Sequence, residues 1–72
     1  MNKLQELRHS LNYTQEEMAS FLNVSISLYQ KMEIGNKKIS PETVKRLKDK
    51  EKIIKEKIPY FSYKIFLEEI IT

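Results

Sequence analysis

Cysteine and tryptophan are absent from this 72-residue chain, and it has one glycine, two prolines and one histidine. Without cysteine, disulfides and cysteine–zinc sites cannot hold the fold together. The lone His9 gives no basis for a metal site, which would have to be built from carboxylates, and none is expected. Scarce glycine removes the phosphate-cradling loops of nucleotide enzymes, and no nucleophile–base pair accompanies it. Glu16 and Glu17 are adjacent on a helix and point in different directions, so they are no acid–base couple. No apolar run approaches the length of a membrane span, and the charged start MNKLQELRHS is not a signal peptide. The reading is therefore a cytoplasmic, non-enzymatic chain with no cofactor and no evident small-molecule ligand.

What is present is helical periodicity with clear start signals. Seventy-two residues make one domain with a thin core, for which oligomerisation is a ready supplement. The net charge is +3, modest enough that its distribution matters more than its sum. Asn2 can cap a first helix, over 2–10, with Gln5 three residues on; Leu4, Leu7 and Leu11 give it an apolar face. Thr14 and Glu17 form a capping box for a helix over 15–22, with Tyr13 and Met18 at staple spacing. Asn23 takes a left-handed turn, and Ser25 caps a helix over 26–34 that stops before Gly35. Ala19 falls where these two helices would cross. Met18, Leu22, Val24, Tyr29 and Met32 lie inward, while Ile26, Ser27, Gln30 and Lys31 lie outward.

Ser40-Pro41-Glu42 starts a fourth helix: an N-cap, proline at the first position and an acid in the first turn. Nothing interrupts VKRLKDKEKIIKEKI, so one helix over 41–57 is expected, ended by Pro59. Residues 44–58 hold seven Lys/Arg against three Asp/Glu. That excess suits either a basic flank or a solvated helix laced with pairs such as Glu51–Lys55 and Lys52–Glu56. A fifth helix, 63–71, carries an apolar stripe of Tyr63, Phe66, Leu67, Ile70 and Ile71. That stripe must be covered, either by the chain's own bundle or by a second copy. The small core favours a homodimer interface there. The fold class is all-α with five helices; 1–47 forms the core and 48–72 a helical extension of the same domain.

Two short capped helices joined by a tight turn make a helix-turn-helix. Leu7-Arg8, Thr14 to Ala19, Asn23-Val24-Ser25 and Tyr29 to Gly35 resemble the lambda-repressor and Cro-like (XRE) family, over residues 4–47. The resemblance implies a sequence-specific binder of double-stranded DNA; for so small a chain repression is the default expectation, as a homodimer on a palindromic operator. It implies that the helix from Ser25 enters the major groove with Ile26, Ser27, Gln30 and Lys31 facing bases. It implies phosphate contacts from Thr14, Gln15, Asn36, Lys37 and Lys38, and a bridge between Arg8 and Glu33. The competing reading is a protein-interaction module, antitoxin-like or anti-activator, using the C-terminal helix on a different partner.

Overall fold

The computed structural model describes residues 2–35 and 39–71, with the Ile71 side chain outside the described set. Asn36, Lys37 and Lys38, expected at phosphates, therefore lie outside the described residues, as does any contact of the Ile71 side chain. Six helices appear among the described residues: α1 (Lys3–Leu11), α2 (Gln15–Leu22), α3 (Ile26–Glu33), α4 (Pro41–Asp49), α5 (Glu51–Lys57) and α6 (Tyr63–Ile71).

The cap signals fix the first three. Asn2 Oδ1 accepts the Gln5 amide, and Asn12 closes α1 at φ 61°. Thr14 and Glu17 exchange both bonds of the capping box. Ser25 and Ser40 accept the amides of Leu28 and Thr43 at the starts of α3 and α4, and Pro41 stands in the first turn of α4. Each bond satisfies an amide that a helix start leaves without a partner.

The expected single helix over 41–57 is two. The chain leaves helical geometry at Lys50 (φ −96°, ψ 3°), so the five-helix expectation is corrected to six. Propensity alone would have carried the helix through, since neither glycine nor proline intervenes. Packing overrides it. The bend lets Leu47 on one piece and Ile54 and Ile58 on the other all be buried. It also leaves the Leu47 carbonyl to accept the buried Tyr63 hydroxyl at 2.6 Å. Ile58, extended ahead of Pro59, ends α5 as expected (φ −136°, ψ 70°).

One core runs through all six helices. Leu4, Leu7 and Leu11 meet Met18, Ala19 and Leu22 of α2, Tyr29 and Met32 of α3, and the residues of α4 to α6. α1 sits between α3 and α6, and α2 packs on both α3 and α4. α6 is docked on its own chain: Tyr63 and Phe66 are each 3 % exposed, with Leu67 and Ile70 half-buried beside them. Tyr63 and Phe66 are thus core residues of the single chain, which corrects their reading as a face open to a second copy. A terminal stripe has two ways to be covered, and sequence periodicity cannot distinguish them.

Candidate nucleic-acid interface

The turn between α2 and α3 is made by Asn23 at φ 56° and ψ 46°. Its left-handed backbone lets the Val24 amide return to the Ala19 carbonyl at 2.9 Å. Ala19, 3 % exposed, permits the close approach of α2 and α3. Gly35 follows the end of α3 at φ 83°, a conformation that costs a Cβ-bearing residue energy.

With Tyr29, Met32 and Glu33 turned into the core, α3 leaves Ile26, Ser27, Gln30 and Lys31 exposed together. Spacing of one, three and four residues puts these four side chains on one helical face. Ile26 retains 38 % of its surface. The set offers an apolar contact, a hydroxyl, an amide and an ammonium, running from the first residue of α3 to its last turn.

Behind that face runs a connected polar network. Arg8 meets Glu33 through two bonds, Nε to Oε2 at 2.8 Å and Nη2 to Oε1 at 3.1 Å. The side chains of this pair are 12 % and 3 % exposed, and Arg8 Nη1 also donates to the Tyr13 carbonyl at 3.0 Å. Gln15 Nε2 donates to Glu33 Oε1 at 2.9 Å, and Gln30 Nε2 donates to Gln15 Oε1 at 3.2 Å. Burial pushes the Glu33 carboxyl upward, but the bonds from Arg8 and Gln15 and the nearby Tyr29 hydroxyl outweigh it. Glu33 is therefore held below the ordinary carboxylate range and stays ionised. Burial, with Glu33 beside it, raises the Tyr29 hydroxyl in turn. Among the described residues that hydroxyl makes no hydrogen bond of standard geometry.

The helix-turn-helix family profile matches residues 4–48, well over half of the chain. The chain belongs to the lambda-repressor and Cro-like (XRE) helix-turn-helix family. No curated protein and no solved structure matched it. Membership makes this a DNA-binding regulatory domain, of a family that is generally non-enzymatic. No helix among the described residues is long and apolar enough to cross a membrane.

The XRE frame makes clear which residues sequence reasoning missed. Asn2 caps α1 and also donates through Nδ2 to the carbonyls of Met32 (3.0 Å) and Glu33. It thereby serves the start of one helix and the end of another. Arg46 reaches from α4 to the carbonyls of Asn23 (3.1 Å) and Leu22 (3.5 Å), and pairs with Glu42 at 2.6 Å. The i, i+4 spacing of Glu42 and Arg46 is a local signal for their pair; the grip on the turn depends on the α2–α4 packing.

Thr14 and Gln15 are placed at the start of α2, with both side chains already engaged inside the chain. Several lysines of the basic run are likewise engaged. Lys55 pairs with Glu51 at 2.9 Å, Lys50 lies 5.2 Å from the Phe21 ring and Lys57 5.8 Å from the Tyr13 ring. Those two rings meet edge to face at 5.4 Å.

Proposed function

We propose that this chain is a sequence-specific transcriptional regulator, a repressor, that reads the DNA major groove with α3. The observation that carries the reading is the exposed quartet Ile26, Ser27, Gln30 and Lys31 on a helix whose other face is fixed by Glu33 and the core. Ile26 packs on a thymine methyl, Lys31 donates to guanine O6 and N7, and Ser27 serves several bases. Thr14, Gln15, Asn36, Lys37 and Lys38 contact phosphates and so set the register without specifying sequence.

The protein acts as a homodimer on a palindrome. The two-fold symmetry of a palindrome pairs one chain with each half-site, the half-sites lying roughly 34 Å apart when one helical turn separates them. With Tyr63 and Phe66 inside the core, the copies meet through the outer side of α6, where Ile65 is 56 % exposed, and through the neighbouring Tyr60, 82 % exposed. The same two side chains favour the second reading, a contact with a different protein.

Binding of Lys31→Ala and Lys37→Ala to matched and mismatched sites over a range of salt tests this. Lys31→Ala relaxes preference at one position per half-site, at about 1–3 kcal/mol. Lys37→Ala weakens all sequences alike and reduces the log–log salt slope by about one. Light-scattering mass reports the dimer. A monomer that does not bind DNA, or a Lys31→Ala variant with unchanged affinity and preference, moves the protein-contact reading ahead.

A further inference from the structure

α4 buries Thr43 and Leu47 and packs on α2 and α5. Beside that inner side, Pro41, Val44, Lys45 and Lys48 follow at i, i+3, i+4 and i+7, which sets them in one row along two turns of helix. Ile39, just ahead of α4, and Ile70, in the last turn of α6, border the row. Together the six residues line an open groove of about 410 Å³. Its floor is apolar, with Ile39, Val44 and Ile70 half-buried, and both lysines are exposed at its edge. Among the described residues no ion pair engages either lysine. Glu42, one turn before Lys45, pairs with Arg46 at 2.6 Å instead.

We propose that this groove docks an acidic amphipathic helix of a different protein, its apolar ridge on Ile39, Val44 and Ile70 and its carboxylates on Lys45 and Lys48. The proposal is independent of the DNA-binding reading. A row at this spacing beside an apolar floor is the form of surface on which a second helix packs. The charge at the edge then selects the sign of the partner. Two other occupants fit less well. A second copy meeting the groove with its own would set Lys45 and Lys48 against the same lysines, and like charges face to face oppose association. DNA phosphates would meet the lysines but leave the apolar floor unused.

The experiment selects from a displayed library of helical peptides with the full chain, then measures the affinity of enriched peptides by fluorescence anisotropy. Enriched peptides are expected to carry apolar residues at i, i+3 or i+4 and i+7, with Asp or Glu beside them. Replacing those acids by Gln, or using the Lys45→Gln/Lys48→Gln double variant, should weaken binding several-fold. Added salt should weaken the wild-type complex and have less effect on the double variant. Both lysines lie outside the core, so the double variant keeps its fold, which circular dichroism checks. No enrichment, enrichment without acids, or unchanged binding by the double variant overturns the proposal. So does a fall of about two in the log–log salt slope for duplex DNA in the double variant, which would assign these lysines to phosphates. A light-scattering mass that drops from dimer to monomer on saturation with peptide would assign the groove to a second copy and overturn it equally.

Discussion

The two halves of this chain are held together by different physics. Residues 2–35 are fastened by directional bonds: caps at three helix starts, left-handed asparagines at two helix ends, and the Arg8–Glu33–Gln15–Gln30 network. Residues 39–71 have a cap at Ser40, the exposed pairs Glu42–Arg46 and Glu51–Lys55 and one buried polar link from Tyr63 to Leu47, but no buried ion pair among the described residues. They lean more on apolar burial and ring contacts, such as Phe66 against Phe61 and Tyr63. Directional bonds tolerate no change of partner, whereas burial needs only shape and volume. The half that carries α3, the proposed reading helix, is the half richer in directional bonds.

The largest effect that would break this contrast is expected at Arg8. Arg8→Ala strands the Glu33 carboxylate in the core, at a cost of about 3–5 kcal/mol. A double-mutant cycle with Glu33→Ala, by denaturant unfolding, measures the coupling; additive losses would mean the network does not bind the first half together. Acid should reproduce part of the damage. Because Glu33 lies below its ordinary value of 4.5 in the folded chain, its contribution is intact above that value and disappears as pH falls below it.

The second half should respond to the opposite end of the pH scale. Burial, then the neighbouring Glu51, pushes the Tyr63 hydroxyl up to about 12 from 10.0. A raised value stabilises below pH 10 and is lost as pH rises through 12, so alkaline unfolding in that window should involve Tyr63. Tyr63→Phe removes the hydroxyl's bond to the Leu47 carbonyl, which still accepts the Lys50 amide, and should cost about 0.5–1.5 kcal/mol, in a midpoint shift read by urea titration. A loss as large as that of Arg8→Ala would erase the contrast between the halves.

The smallest effect is expected at Arg46, which ties the halves together. Its side chain is 30 % exposed, so Arg46→Ala should cost no more than about 1 kcal/mol of stability. Its signature should instead be faster amide exchange at Val24 and Ser25, in the turn whose carbonyls it holds. Unchanged exchange there would show that the turn is self-sufficient.

The contrast also explains what could be read in advance. Caps are local, and Thr14-Glu17, Ser25 and Ser40-Pro41 announce their helices within four residues. The exposed face of α3 followed from periodicity once its ends were known. Arg8 and Glu33 came from family resemblance, since 25 residues separate them and no local rule joins them. Asn2 on the α3 carbonyls, Arg46 on the turn and the Gln15–Gln30 contact all depend on how helices pack, which no spacing encodes. The break at Lys50 was hidden for a related reason. Its sequence is a good helix, and only the competing demands of Leu47, Ile54, Ile58 and Tyr63 divide it.

Three left-handed residues among the described ones, Asn12, Asn23 and Gly35, close the first three helices. At Gly35 a Cβ would meet nothing within 4 Å, so backbone angle alone, not space, restricts that position. Asparagine and glycine are the residues that enter this region at little cost. As the sequence drifts over generations, each of these three sites can therefore alternate between the same two residues while most others are shut out. A chain with a single glycine has kept its punctuation by using asparagine for the other two stops.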